Sequence, residues 1–108
     1  MSTPDTDFKT FEEFWPFYLG EHSDPLNRRL HFIGTSLALA TVATSAATLN
    51  PALLPLAPVM GYGFAWVGHF IIEKNRPATF KYPLWSLRGD FRMFGLMATG
   101  RLDAHLQQ

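Results

Sequence analysis

The strongest constraint on this chain is a run of about 43 residues, from Leu30 to Ile72, that contains no Asp, Glu, Lys or Arg. One bilayer-crossing helix needs about 20 mostly apolar residues, so the run has room for two passes and a turn. Asn50-Pro51, with Pro55 and Pro58 close behind, supplies the turn, because proline removes a backbone donor and breaks or kinks a helix. The first helix is expected over roughly 25–49 and the second over roughly 58–74, with membrane spans at about 30–49 and 55–73. The expected fold is all-α, one domain over 1–108: a small integral membrane helical protein in which a transmembrane hairpin is flanked by amphipathic interfacial helices.

The flanking charges orient the hairpin. Arg28 and Arg29 precede the first pass, Lys74, Arg76 and Lys81 follow the second, and the turn carries no charge. By the positive-inside rule both termini face the cytoplasm, at the inner membrane of a bacterium or the endoplasmic reticulum of a eukaryote. The competing reading is the buried hairpin of a small soluble helical protein. A chain of 108 residues has little left with which to cover so long an apolar hairpin. Gly34, Ala38, Ala40, Ala43, Thr44 and Ala47 recur at four-residue spacings suited to close helix contact in a membrane.

Other functions find no support. With no cysteine, disulfides, thiolate metal sites and cysteine nucleophiles are excluded. Nine basic and nine acidic residues balance, and the basic ones are spread out, so nucleic acid is not an expected partner. The N-terminus, with Asp5 and Asp7, is unlike a cleavable signal peptide. No phosphate-cradling glycine loop, Gly-x-Ser-x-Gly elbow or His-Glu-x-x-His motif is present. Thr10-Phe-Glu-Glu13 fits a capping box opening an aromatic helix that Gly20 ends. That helix either sits among lipid headgroups or packs on the hairpin. The stretch 82–102 mixes apolar and charged residues, as an amphipathic surface helix does.

Each end of the uncharged run carries a histidine motif: His22-Ser-Asp-Pro-Leu-Asn27-Arg28-Arg29-Leu-His31 before it, and Gly68-His69-Phe-Ile-Ile-Glu73-Lys74-Asn75-Arg76-Pro77-Ala78 across its end. At about 1.5 Å rise per residue, an antiparallel hairpin puts His31 and His69 at similar depth, near the cytoplasmic interface. His22 precedes a helix start marked by Ser23 or Asp24 as cap and Pro25 in the first turn, so it can fold back over that end. Three histidines without cysteine suit iron, zinc or copper. Glu73, Asn27 or Asn75 are candidates to orient an imidazole, Glu73 from the same helix face as His69. Arg76 and Lys74 are candidates for a lipid phosphate or fatty-acid carboxylate, and His105 is not expected to take part. The alternative is histidines that only cap helices or bond to neighbours.

The pattern Tyr18-x-x-x-His22-x-x-Pro25-x-Asn27-x-x-x-His31, followed by Gly68-His69-x-x-x-Glu73-Lys74-x-Arg76-Pro77-Ala78, resembles the Mpo1-like family. The resemblance runs over roughly 14–87 and implies an iron(II)-dependent dioxygenase of membranes that uses O₂ to shorten 2-hydroxy fatty acids by one carbon. It implies His22, His31 and His69 as the iron ligands, and a 2-hydroxy carboxylate that chelates through its carboxylate and hydroxyl oxygens. The chain departs from the fungal enzymes of that family, which carry further membrane-spanning sequence between the two motifs. Two helices give an acyl chain a thin wall, which is compatible with a homodimer. Two other functions remain in view: a haem-binding hairpin with His31 and His69 as axial ligands, and a non-enzymatic membrane scaffold or lipid-binding protein.

Overall fold

The computed structural model describes residues 8–106, so Asp5 and Asp7 lie outside the described residues. Every regular element among those residues is helical. Helix α1 spans Phe11–Gly20, α2 Pro25–Thr48, α3 Leu56–Val67, α4 Pro83–Ala98 and α5 Leu102–Leu106. A 3₁₀ turn, Pro51–Leu53, joins α2 to α3, and α3 runs on into a π-helical turn, Gly68–Glu73. The antiparallel pair of α2 and α3 dominates the fold.

Local chemistry sets the boundaries. The Thr10 hydroxyl accepts from the Glu13 amide at 3.1 Å, opening α1, but the Glu13 carboxylate reaches back to the Lys9 amide, not to that of Thr10. Asp24 caps α2 by accepting from the Leu26 amide at 2.8 Å, and Pro25 occupies the first turn, where its missing N–H costs nothing. Leu49, at φ 53°, takes the left-handed conformation that closes α2. Inside α2, the Thr41 and Thr48 hydroxyls donate to the carbonyls of Leu37 and Thr44. That bonding lets hydroxyls enter an apolar span without unsatisfied donors.

Pro25–Thr48 and Pro51–Glu73 are both long and apolar enough to cross a membrane. At about 1.5 Å per residue, the 24 residues of α2 reach about 36 Å, against a hydrocarbon core of about 30 Å. Only 17% of the most apolar stretch in each is buried, whereas the core helix of a soluble protein is mostly covered. Leu37, Val42, Leu49, Val59, Val67 and Ile71 stay exposed. That pattern disfavours a soluble core hairpin.

The four-residue stripe of small residues divides. Gly34 lies where a Cβ would come within 2.9 Å of the Phe64 Cβ and 3.0 Å of the Met60 carbonyl oxygen, so only glycine allows this approach of α2 to α3. A Cβ on Gly61 would meet that of Ala38 at 3.8 Å, an ordinary contact. Ala40, Ala43, Thr44 and Ala47 face outward instead. A spacing of four drifts around a helix of 3.6 residues per turn, so it cannot hold one face for long.

The true side-chain core lies beyond the hairpin's polar end. Phe11, Phe14, Trp15, Tyr18 and Leu19 of α1 pack with Ala78, Met93 and Leu102. Burying each large side chain is worth about 1.5–3 kcal/mol. The aromatic helix therefore packs on α4, which is more than a surface element: it holds α1 on one side and touches α2 on the other. Arg88 lies over the Phe11 ring and Arg92 over Trp15, with guanidinium carbons 4.2 and 4.5 Å from the ring centres. These contacts place basic groups against aromatic faces.

Candidate metal centre

His22, His31 and His69 meet where α1, α2 and the π turn converge, and all three are buried. One ligand atom from each lies within 4.8 Å of the other two. Their ring centroids are 4.4, 4.5 and 5.0 Å apart, each pair close to perpendicular. Two nitrogens each about 2.1 Å from one ion span at most about 4.2 Å, so slight closure brings the set to bonding range.

Two of the three outer nitrogens have oxygen partners that only accept. His22 Nδ1 lies 2.7 Å from the Tyr18 carbonyl oxygen, so Nδ1 carries the proton and Nε2 keeps its lone pair. That Nε2 is buried with no protein partner. A buried polar atom without a partner is costly and calls for a ligand. His69 Nδ1 lies 2.7 Å from Asn75 Oδ1, and the Asn75 amide nitrogen donates to the Glu21 carbonyl at 3.2 Å. That second bond fixes which way the amide faces, so His69 also turns a free Nε2 inward. His69 Nε2 is 3.2 Å from His31 Nε2. On its outer side, His31 Nδ1 is 3.8 Å from Asp90 Oδ1, and the Tyr18 hydroxyl donates to the same oxygen at 2.5 Å.

Several devices hold the rings. His22 stacks on Tyr18 at 4.1 Å between centroids, and Arg28 donates to the carbonyls of His22 and Ser23, tying down the turn between α1 and α2. Gly89 lets Tyr18 lie flat on α4, since a Cβ there would come within 2.9 Å of its ring. Around His69 the helix switches from α to π bonding, an irregularity often found at functional sites. Lys74, at φ 60°, closes the π turn, and the Asn75 amide bonds to the His69 carbonyl at 2.9 Å. This sharp stop brings Asn75 back against the ring of His69.

The electrostatics favour neutral donors. Burial, and then the neighbouring His31 and His69, push the His22 pKa well below its usual value, with the Tyr18 carbonyl opposing weakly. His22 is therefore an unprotonated donor at neutral pH. Burial raises Asp90 to about 7, partly offset by the Tyr18 hydroxyl. The Tyr18 pKa is raised by burial and by Asp90.

Other residues singled out in the sequence lie around the cluster in different roles. The Glu73 carboxylate accepts from the Ser23 hydroxyl at 3.2 Å, from the Asp24 amide and from Asn27 Nδ2 at 3.4 Å. It thus bridges the π turn to the start of α2, and its hydrogen bonds do not go to His69. The i→i+5 register turns it off the face it would share with His69 in an α-helix. Asn27 is fully buried against Gly68. Lys74 and Arg76 are exposed, with Arg76 over the Phe80 ring. His105 accepts from the Trp15 indole at 3.2 Å in the aromatic core, away from the cluster. Asp90 and the Tyr18 hydroxyl were missed by sequence reasoning: nothing in a mixed amphipathic stretch marks one aspartate as inward-facing.

The packing leaves no room for haem between His31 and His69. Their Nε2 atoms are 3.2 Å apart and His22 closes the third side, so no porphyrin plane fits between them. An outer partner of a ligating histidine typically matters 10–100-fold for metal affinity. Asn75→Leu should therefore weaken metal binding by about that factor, read by competition with a chelator. Unchanged affinity would show that the Asn75 bond does not orient His69.

No curated protein and no solved structure matches the chain. A family model described as "2-hydroxy-palmitic acid dioxygenase Mpo1-like" matches residues 8–102, from just before α1 to the start of α5 and including all three clustered histidines. The chain belongs to the Mpo1-like family.

Proposed function

We propose that this protein is a membrane-bound iron(II)-dependent dioxygenase that shortens 2-hydroxy fatty acids by one carbon. The observation that carries this reading is the convergence of three buried imidazoles, one with an orphaned Nε2, in a chain of this family. Three neutral nitrogen donors suit iron(II) and leave coordination positions free. Iron held there would supply the activation of O₂ and the attraction for the substrate's polar head.

The chain's own residues hold and shield that centre. His22, His31 and His69 are the ligands, with the Tyr18 carbonyl keeping the outer nitrogen of His22 protonated and Asn75 that of His69. Glu73 and Asn27 hold the start of α2 to the π turn, so that His31 and His69 stay in register. Tyr18, fully buried and stacked on His22, walls that side of the site from water. Lys74 and Arg76, exposed at the same end, suit the attraction of an acid or a lipid phosphate to the interface.

The hairpin crosses the bilayer with both termini cytoplasmic, which places the histidines at the interface and the polar head of a lipid within their reach. Reporter fusions at Gln108 and in the Asn50–Pro51 turn should read opposite sides of the membrane. Both reading cytoplasmic would overturn the spanning arrangement. For the reaction, purified protein with iron(II) and O₂ should convert a long-chain 2-hydroxy acid to the acid one carbon shorter. The acid lacking the hydroxyl presents one oxygen fewer and should turn over at least tenfold more slowly. Equal rates, or no product across a range of chain lengths with iron in place, would reject the assignment.

A further inference from the structure

We propose that the groove between α2, α3 and α4 seats a single acyl chain, with its polar end at the histidines and its methyl end toward the Asn50–Pro51 turn, and that Ala38 and Gly61 set how deep it reaches. This rests on the reading above for the identity of the head group, but the groove itself is argued from its shape and lining.

The groove has a volume of about 320 Å³. One end is polar: His31, Thr35, Tyr62 and Asp90 line it, and His31 belongs to the metal cluster as well. Beyond that end the walls are apolar: Ala38, Leu39 and Gly61 stand midway, and Val42, Ala57 and Pro58 at the far end. Among the described residues Asp90 is the only charged group that lines the groove. A slot that begins at a cluster of donor nitrogens and continues as bare hydrocarbon matches a lipid with a small polar head. Lipid tails gain little by exchanging one apolar surface for another. The head therefore anchors the ligand, and the groove selects its length.

Helix geometry sets the scale. His31 and Val42 are eleven positions apart on α2, about 16 Å at about 1.5 Å per residue. With C–C bonds of about 1.5 Å in a zigzag, an extended chain advances roughly 1.3 Å per carbon. The groove thus accommodates roughly twelve carbons. Ala38 lies seven positions from His31, near roughly the eighth carbon on the same scale. The Ala38–Gly61 approach leaves ordinary contact distance even for an added Cβ, so a methyl group is tolerated at Gly61. A leucine at either position fills the groove at mid-length.

The test uses anaerobic photolabelling of iron(II)-loaded protein in nanodiscs with 2-hydroxy acids carrying a diazirine at mid-chain or near the methyl end, and turnover of the same protein once O₂ is admitted. The mid-chain probe should label peptides at Ala38 and Gly61, and the terminal probe those at Val42 and Pro58. Ala38→Leu and Gly61→Leu, each checked for retained helicity, should cut terminal labelling at least fivefold and shift turnover toward acids several carbons shorter. Val42→Ala should extend the preference toward longer acids. Leu37→Phe, on an exposed face outside the lining, should change neither. Labelling spread evenly over exposed positions such as Leu37, Val59 and Ile71, whatever the diazirine position, would overturn the groove, as would an unaltered pattern in both leucine variants. Graded labelling without turnover would sink the dioxygenase reading and leave the groove standing. Turnover with ungraded labelling would do the reverse.

Discussion

Replacing any one of His22, His31 and His69 by alanine should reduce iron affinity by more than about a hundredfold, beyond what loss of an outer partner costs, while His105→Ala leaves it unchanged. The three donors converge within 4.8 Å, so each variant removes a ligand and leaves two. The losses should be similar in size although the residues come from different elements: a turn, α2 and the π turn. His22→Ala also removes the stack on Tyr18 and should lower stability by about 1–3 kcal/mol. Circular dichroism should nevertheless find its helices intact, because the α2–α3 contact does not involve that turn. Metal content of detergent-purified protein, prepared without a chelating tag, is the measurement. Iron retained at wild-type level in all three variants would reject the cluster as a metal centre.

The second large effect is expected at Gly68. A Cβ there would lie 1.8 Å from Asn27 Oδ1 and 2.8 Å from its Cγ. Asn27 cannot easily swing aside, because it is fully buried and its amide nitrogen is tied to Glu73. Gly68→Ala should therefore destabilise the protein by about 3 kcal/mol, the upper range for overpacking, and push His69, the next residue, out of line. Asn27→Ala alone should cost about 1 kcal/mol, since it gives up one long hydrogen bond and also removes a buried, unpartnered oxygen. The double variant should recover most of the Gly68→Ala loss, a coupling of about 1–3 kcal/mol. Thermal unfolding of the four proteins in one detergent decides it. Additive losses would mean that the two residues do not meet.

Much of this was legible in the sequence. The uncharged run and the prolines at its middle led to a hairpin of two long helices, and the Pro25 start and Gly20 stop fell where the chain places them. The equal depth of His31 and His69 followed from counting rise along an antiparallel pair. What escaped is the part that depends on packing between segments. The π turn has no signature in Gly68-His69-Phe-Ile-Ile-Glu73, yet it turns Glu73 toward α2 and leaves the His69 contact to Asn75. Asp90 looked like one more charge on an amphipathic helix until Gly89 and Tyr18 brought α4 against the site. Arg28, read as a topology signal, also clamps the turn that carries His22.

Anaerobic titration of the metal-free protein with iron(II), followed by X-ray absorption at the iron edge, decides whether the three histidines form an iron centre. Saturation is expected at one iron per chain, with three imidazole nitrogens bound to the metal. The His22→Ala/His31→Ala/His69→Ala triple variant should take up none. Iron uptake by the triple variant equal to that of the wild type, or a wild-type iron without histidine ligands, would rule out such a centre.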